Sequence, residues 1–459
     1  MDIGKPDCGA IDCSDAAGAA IIVWQESGYA VLGYWRLLNL TDWIKELGMQ
    51  GAVTRRMVAC GIVLSPLALP LRPGLARAAH IVDPRRVSLP EGRSDLRANQ
   101  KMGAMKFEIL RDSHIVLALK INGHDINAVF DSGAGPSVVD ASLVGKYGLV
   151  ARDAMNLKGL SGNSTAAKVE GASIEFDGIQ VYLDNCVAID LRFLSSSVGA
   201  PIGAIIGRDL FDKFIVDIDF NSAEIKIQHL AARHPRPSGY ELEINDSATG
   251  SSKYLNISVG GRPPLKAVYD LGCGSPLLMS PDYVRSSGIL AGLRTSTSLG
   301  AGVEGPVELT VAQVRNLVVG GVTFPAVPVE IPPKWNRSGD AVIGLPVLRR
   351  FRNVVDFHAN KLFLQPDPNS ILLPFSKDRS GIGARFIGDA LKVVHVAANS
   401  PAAQAGLSVG DEICAINGNP VSVRYLQEHP RQGELPAGTV QNLTLRDGSV
   451  RVVVLAEYY

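Results

Sequence analysis

Short runs of alternating hydrophobic and polar residues dominate the chain between about residue 105 and residue 367. A period of two is typical of β-strands with one buried face. Asn122 and Gly123 form a typical hairpin turn between two such runs, and Ser280 followed by Pro281 marks the start of a helix. The pattern predicts a mainly β fold, with strands at 107–110, 115–119, 126–130, 174–189, 255–259 and 265–269 and a short helix at 141–147.

One predicted strand ends in an acidic residue, and the same arrangement recurs later in the chain. The sequence AVFDSGA at 128–134 places Asp131 after three hydrophobic residues, and AVYDLGC at 267–273 does the same for Asp270, 139 residues on (270 − 131). A carboxylate at the end of a buried strand is costly unless it is paired or hydrogen-bonded, so each copy offers the other a partner. A single Asp-x-Gly is as readily an ordinary turn, and the repetition is what favours a site.

The repeat extends beyond the two acidic loops. AIIGRDL at 204–210 and AVIGLPV at 341–347 follow at similar distances, with 76 residues from the acid to the glycine in the first copy and 74 in the second (207 − 131; 344 − 270). In both copies a Phe follows the glycine by 7 residues and an Asp follows it by 12. Internal similarity of this kind indicates duplicated structural units.

These motifs resemble the active-site loops of the retropepsin-like and pepsin-like aspartic proteases. In that family each lobe contributes one Asp from an Asp-Thr/Ser-Gly loop, and a strand of the form hydrophobic-hydrophobic-Gly crosses behind it. The resemblance implies two acid-protease-like β-barrel lobes, at 102–235 and 238–367, that form one bilobal unit with Asp131 and Asp270 as the catalytic pair. It implies supporting roles for Ser132, Gly133, Ala134, Gly272, Gly207 and Gly344.

Two further features are interpreted through the same resemblance. Leu271 departs from the pattern, because it stands where the family has a Thr or Ser whose hydroxyl links the two loops, and leucine has no hydroxyl. GAGVEG at 300–305 spells a dinucleotide-binding pattern, but a β pattern follows it where such a loop needs a helix. In the family, flaps are the hairpins that cover bound peptide, and two turns of this chain stand at their positions. The first contains Gly159, Ser161 and Gly162, for which a plain hairpin is the alternative, and the second contains Gly300 and Gly302.

A different pattern begins near residue 378. The run SPAAQAGLSVGDEI at 400–413 resembles bacterial PDZ domains, which implies a small α+β domain at 378–459. Pro401 predicts a helix start, Gly406 its end, and 412–416 the next strand. Such domains bind an extended peptide as an added strand and hold its terminal carboxylate with backbone N–H groups, here those of Ile382, Gly383 and Ala384. A docking module that holds no peptide is the alternative.

Composition excludes several function classes. Lys plus Arg and Asp plus Glu both number 45, so no basic field suggests nucleic acid as a partner. The 8 His are scattered without a metal-binding or serine-hydrolase motif, and we expect neither a metal nor another cofactor. Three acidic residues on later strands are interpreted as structural: Asp217, Asp219 and Asp356. Arg208 and Asp209 are expected to pair with each other on a surface.

The N-terminal region predicts export. Residues 1–48 are interpreted as a leader that need not be translated, with Met49 as the true start. Arg55 and Arg56, an apolar stretch at 57–71 and small residues up to 79 then match a secretory signal peptide at 49–79. Its prolines and short length disfavour a stable membrane span. We therefore expect a periplasmic or secreted protein, in which the remaining cysteines, Cys186, Cys273 and Cys414, are too few and too dispersed for a disulfide framework.

The function predicted from these features is that of an aspartic endopeptidase acting on polypeptides, with a PDZ domain that binds a peptide C-terminus or another partner. Two carboxyl groups at close range share one proton, which predicts an acidic or mildly acidic optimum. One alternative is a non-catalytic peptide-binding or adaptor protein with a degenerate cleft. Another alternative pairs Asp131 with Asp131 of a second chain.

Overall fold

A computed structural model of the chain describes residues 24–26, 29–31, 103–158, 163–230, 239–247, 250, 252–302, 305–337, 339–429 and 431–459. The chain divides into two compact units, Met1–Gly74 and Leu75–Tyr459. In the first unit, β1 (Trp24–Glu26) pairs with β2 (Tyr29–Val31). The predicted signal peptide at 49–79 lies outside the described residues.

The first lobe consists mainly of short strands. Its strands are β3 (Gly103–Leu110), β4 (His114–Ile121), β5 (His124–Phe130), β6 (Ser137–Asp140), β7 (Val150–Lys158), β8 (Asn163–Glu170), β9 (Ser173–Phe176), β10 (Ile179–Tyr182), β11 (Cys186–Ile189), β12 (Ala204–Ile206), β13 (Phe214–Asp219) and β14 (Glu224–His229). Its helices are α1 (Arg192–Val198) and α2 (Arg208–Phe211). The helix predicted at 141–147 is instead two 3₁₀ turns, Ala141–Leu143 and Gly145–Tyr147.

The second lobe repeats this architecture. Its strands are β15 (Tyr240–Glu243), β16 (Asn245–Asp246), β17 (Lys253–Val259), β18 (Leu265–Asp270), β19 (Leu277–Met279), β20 (Thr295–Gly302), β21 (Gly305–Val319), β22 (Val322–Ile331), β23 (Ala341–Gly344), β24 (Phe351–Asp356) and β25 (Lys361–Pro366). Its helices are α3 (Pro281–Ser287) and α4 (Leu345–Leu348). The predicted start of α3 is confirmed, because the Ser280 hydroxyl accepts the N–H of Tyr283 and Pro281 is the first helical residue.

The same strand crossing carries each acidic loop. In the first lobe β12 lies between β5 and β6, parallel to β5 and antiparallel to β6. In the second lobe β23 lies between β18 and β19 with the same directions. The residues of β12 and β23 are fully hydrophobic up to the glycine because both faces of each strand are buried. Each acidic residue is therefore fixed at the end of a buried strand.

The two lobes are joined by a shared sheet. The strands β15, β25, β24, β13, β14 and β3 run side by side, and β13 of the first lobe pairs antiparallel with β24 of the second. Asp217 lies opposite Val354, which is its own counterpart in the repeat (354 − 217 = 351 − 214 = 137). The axis of approximate two-fold symmetry therefore passes through this pair. One continuous hydrophobic core spans both lobes and includes Phe130, Phe211 and Tyr269.

The C-terminal domain has a hydrophobic core of its own, centred on Val393, Ile413, Leu443 and Val453. Its strands are β26 (Ile382–Ile387), β27 (Ala390–Val396), β28 (Glu412–Ile416), β29 (Asn419–Pro420), β30 (Val440–Leu445) and β31 (Val450–Val454), and its helices are α5 (Pro401–Gln404) and α6 (Val423–Glu428). The strand predicted at 412–416 is confirmed. Together the sheets bear out the mainly β fold predicted from the sequence.

This domain packs against the β20–β21 hairpin of the second lobe. His395 Nε2 lies 3.1 Å from the Thr297 hydroxyl, and His395 Nδ1 lies 3.4 Å from a Glu308 carboxylate oxygen. Ser296 donates a hydrogen bond to the Ala398 carbonyl at 3.4 Å. The hairpin that stands at the predicted flap position is therefore bonded to the C-terminal domain.

Candidate active site

Asp131 follows β5 directly and is held by its own loop. Its N–H donates to the Ile206 carbonyl at 3.0 Å, which ties the residue to β12. Its Oδ1 accepts the N–H groups of Gly133 at 2.8 Å and Ala134 at 3.1 Å. Backbone donors of this kind fix the orientation of a carboxyl group at little entropic cost.

Asp270 is the last residue of β18 and is more deeply buried, with 2 % of its surface exposed. Its Oδ1 accepts the N–H of Gly272 at 3.0 Å. Its backbone carbonyl accepts the N–H of Cys273 at 3.3 Å, which closes the turn. The second loop thus repeats the first: each Asp stands at the end of a strand, and its Oδ1 accepts the N–H of the glycine two residues later.

The two carboxyl groups face each other across the glycines of their loops. A Cβ built on Gly133 would overlap the carboxylate of Asp270, and a Cβ built on Gly272 would overlap the carboxylate of Asp131. Each carboxyl group therefore occupies the space that a side chain on the opposite glycine would need. The two groups are close enough that the Asp270 carboxylate raises the pKa of Asp131.

Ser132 links the two loops. Its hydroxyl donates to the Tyr269 carbonyl at 3.2 Å and accepts the N–H of Leu271 at 3.0 Å, and both bonds are buried. Leu271 is fully buried and belongs to the hydrophobic core. The hydrogen bonds between the loops therefore come from Ser132 of the first lobe. Leu271, its counterpart in the second lobe, contributes apolar packing instead.

Gly207 and Gly344 lie behind the two acidic loops. A Cβ on Gly207 would overlap the Ala134 carbonyl, and a Cβ on Gly344 would overlap the carbonyls of Cys273 and Ser275. The residues after these glycines donate to the same loops, from Arg208 to Ala134 at 3.0 Å and from Leu345 to Cys273 at 2.9 Å. The hydrophobic-hydrophobic-Gly strands thus support the acidic loops from behind.

The structure adds Arg337, which the sequence interpretation missed. Its Nη1 donates to Asp270 Oδ2 at 2.8 Å, and its side chain is 29 % exposed. Arg337 lies in the loop between β22 and β23, a stretch without periodicity or motif. Its spacing of seven residues from Gly344 (344 − 337) could have placed it near the acidic loop. The resemblance to the family gave no reason to examine that position.

These surroundings change the titration of Asp131. Burial raises the pKa of Asp131 to about 8, the Asp270 carboxylate beside it acts in the same direction, and the Gly133 N–H and the Arg337 guanidinium oppose both. Asp131 therefore holds its proton to a higher pH than an ordinary carboxyl group does.

Titratable groups from three parts of the chain surround the pair. Burial lowers the pKa of His114 to about 4, Asp270 opposes this shift, and Arg431 of the C-terminal domain adds to it. Burial raises the pKa of the Cys273 thiol and of Glu330, whose carboxylate accepts a hydrogen bond from Ser275. His114 and Cys273 are accordingly neutral around pH 7.

The structure describes only some of the predicted flap residues. Gly159, Ser161 and Gly162 lie outside the described residues. Gly300 and Gly302 lie in β20, and a Cβ on Gly300 would overlap the Leu309 side chain across the hairpin. The second hairpin is thus closely packed near its end.

The expectation that Arg208 and Asp209 pair on a surface is wrong. Asp209 is buried and accepts the N–H groups of Ser137 at 3.1 Å and Asn185 at 2.9 Å. Arg208 instead forms an ion pair with Asp212 at 2.8 Å. Because the two side chains are neighbours at the start of α2, they point in different directions.

Family models match two parts of the chain: the aspartyl protease model matches residues 117–210, and the PDZ domain model matches residues 392–430. The chain carries an aspartyl protease domain and a PDZ domain. The first match includes Asp131 and Gly207, and the second runs from β27 through α6. The second lobe lies outside both matches, so its likeness to the first rests on strand arrangement and loop geometry. No curated protein matches the chain.

The predicted carboxylate-binding residues of the PDZ domain lie at the start of its edge strand, β26. The N–H of Ile382 donates to the Ser380 hydroxyl at 3.1 Å, so it would exchange partners to bind a peptide carboxylate. A side chain on Gly383 would press against His395 and Leu299, and Ala384 follows a bulge in the pairing of β26 with β27. Gly383 therefore also serves the contact with the β20–β21 hairpin.

The described residues contain no cluster of His, Cys, Asp or Glu arranged to hold a metal ion. Among those same residues, no helix is both long enough and apolar enough to cross a membrane.

Proposed function

We propose that this protein is an aspartic endopeptidase in which Asp131 and Asp270 form the catalytic pair within one chain. The observation that carries the proposal is the reciprocal packing of each carboxyl group against the glycine of the other loop. Two such groups at close range share one proton, so one is an acid and the other a base. That is the arrangement needed to activate water without a further cofactor.

The reaction follows from this shared proton. The ionised carboxylate takes a proton from a bound water as the water oxygen bonds to the peptide carbonyl carbon, and the protonated carboxyl gives its proton to the carbonyl oxygen. In the second step the C–N bond breaks, the nitrogen receives the proton taken from water, and the other carboxyl recovers its own. The net change is one water added across one peptide bond.

The decisive experiment is cleavage of a mixed peptide library by the full chain between pH 3 and pH 9. Asp131→Asn and Asp270→Asn should each lower kcat/KM by a factor of about 10² to 10⁴. Asp184→Asn is the matched control, because Asp184 is exposed and forms only a surface ion pair with Lys213. Loss in Asp131→Asn alone would favour a pair formed between two chains. No cleavage under any condition would favour the adaptor alternative.

For the PDZ domain we propose a peptide ligand with a free C-terminal carboxylate, held by the N–H groups of Ile382, Gly383 and Ala384. The match to the PDZ family model and the edge position of β26 support this ligand class. Fluorescence anisotropy with a C-terminal peptide library should show binding that is lost when the same peptides are amidated. Equal binding of both forms would argue for a docking module.

We propose export to the periplasm or beyond, supported by the basic, apolar and small-residue pattern at 49–79. Residues 49–79 fused to a reporter that is active only outside the cytoplasm should give activity. Replacing Arg55 and Arg56 by Glu should abolish it, and reporter activity from neither fusion would contradict the proposal.

A further inference from the structure

Arg337 breaks the two-fold symmetry of the site. The repeat offset of 137 residues that relates Gly207 to Gly344 places Ala200 at the corresponding position of the first lobe (337 − 137). Only the second lobe therefore presents a guanidinium at this position, and it presents it to its own carboxylate, Asp270. The acidic loops share their fold and differ at Ser132 and Leu271, so this arginine is a main difference in charge between the environments of the two carboxyl groups.

The loop that carries Arg337 is anchored on both sides. The Trp335 indole donates to the Gly339 carbonyl at 2.9 Å and packs on the small core of Tyr254, Val268, Leu278 and Val342. The N–H of Asp340 donates to the Lys266 carbonyl at 2.9 Å. A guanidinium held by such a loop is positioned before substrate arrives.

The donors divide unequally between the two carboxyl groups. Asp270 accepts the N–H of Gly272 on Oδ1 and the Arg337 guanidinium on Oδ2, so each of its two oxygens already has a donor. Asp131 accepts both of its backbone donors on Oδ1. A proton shared by the pair is therefore best accommodated on Asp131 Oδ2.

We propose that Arg337 is a positioning residue that places the shared proton on Asp131, and so makes Asp270 the general base and Asp131 the general acid. This inference rests on the proposed function. Asp270 then takes the proton from water, and Asp131 protonates the carbonyl oxygen. The first lobe supplies the acid and the second lobe the base, in every catalytic cycle.

The other groups facing the pair do not supply this asymmetry. His114 from the first lobe is neutral because burial lowers its pKa, and Cys273 is neutral because burial raises its pKa. Glu330 is bonded to Ser275, and Arg431 of the PDZ domain acts on His114 and Glu330. The direct bond to a catalytic carboxylate comes from Arg337.

The test compares Arg337→Gln and Arg337→Lys with the unmodified full chain in pH–rate profiles. Loss of the charge raises the pKa of the pair, so Arg337→Gln should move the alkaline limb up by about one pH unit. It should also lower kcat near neutral pH, because the shared proton is then no longer confined to Asp131. Arg337→Lys, which keeps the charge, should leave the alkaline limb close to that of the unmodified chain. The control is Arg285→Gln, which removes an exposed arginine that pairs with Asp282 on α3. Superimposable profiles for Arg337→Gln and the unmodified chain would overturn the proposal.

A second measurement does not depend on activity. Asp131→Asn is introduced into the unmodified chain and into Arg337→Gln, and the resulting change in Tm is measured as a function of pH. In the unmodified chain this change in Tm varies with pH until the pair is fully ionised. In the Arg337→Gln background this change should continue to a pH about one unit higher. If neither the unmodified chain nor any variant cleaves peptide but the pH dependence of Tm shifts, the proposed protease activity fails and the role of Arg337 in placing the proton stands. If cleavage occurs without either shift, the role of Arg337 fails alone.

Discussion

The hydroxyl of Ser132 accepts a hydrogen bond from the N–H of Leu271 and donates one to the carbonyl of Tyr269. These three residues connect the two acidic loops across the interface of the lobes. All three are buried, so water cannot replace either hydrogen bond. The single hydroxyl therefore determines how closely the loops approach.

Replacing Ser132 by Ala should destabilise the protein. It leaves the Leu271 N–H without its acceptor and the Tyr269 carbonyl without its donor, at a cost of about 1–3 kcal/mol. Urea unfolding should show a lower midpoint with little change in slope. Ser286→Ala, which removes an exposed hydroxyl bonded within α3, is the control, and equal effects of the two would contradict the assigned role.

Alanine at Gly133 or Gly272 should strongly slow peptide cleavage. The added methyl group overlaps the opposite carboxylate, and a displacement of about 1 Å at such a site costs about 100-fold in kcat/KM. Gly145→Ala is the matched control, since a Cβ on Gly145 meets nothing within 4 Å. Full activity in Gly133→Ala would show that the carboxyl groups are not held by this packing.

Replacing Asp131 by Asn should stabilise the fold more at pH 9 than at pH 5. The pKa of Asp131 is raised to about 8, above its value in an unfolded chain, so the native state binds a proton that the unfolded state releases. Native stability therefore falls as pH rises from about 4 to about 8, and the substitution removes this loss. Thermal unfolding of both proteins measures the difference. A pH-independent difference would mean that Asp131 titrates normally.

Replacing Gly383 by Val should separate the PDZ domain from the β20–β21 hairpin. The new side chain would press on Leu299 and His395, whose Cβ atoms lie 3.2 Å and 2.9 Å from the point that a Cβ on residue 383 would occupy. Hydrogen exchange should then become faster across 295–302, while exchange in β13 and β24 stays unchanged. His429→Ala, which changes an exposed histidine of the same domain, serves as the control. Unchanged exchange at the hairpin would show that this contact does not hold it.

Much of the fold could be predicted because local chemistry and periodicity agree with it. The Ser280 cap, the strand at 412–416 and the strands leading to the acidic loops follow from residue type and spacing. The helix predicted at 141–147 is two 3₁₀ turns, because Gly145 interrupts the segment and glycine is a poor residue for a helix interior.

The site was only partly predictable for a physical reason. Asp131 and Asp270 are marked by repeated local patterns, whereas Arg337 reaches Asp270 through a loop whose course depends on Trp335 and Asp340. The burial of Asp209 likewise depends on Ser137 and Asn185, which lie far away in sequence. Contacts between distant segments leave no periodic signal along the chain.

The pairing of Asp217 with Val354 has an evolutionary consequence. Strands that pair through equivalent positions are what two identical chains would form across a two-fold axis, and internal repetition indicates a duplication. In a dimer of identical chains, any substitution appears on both sides of the axis at once. Fusion into one polypeptide removes that constraint, so one half can keep a serine while the other acquires a leucine, and one half alone can gain an arginine.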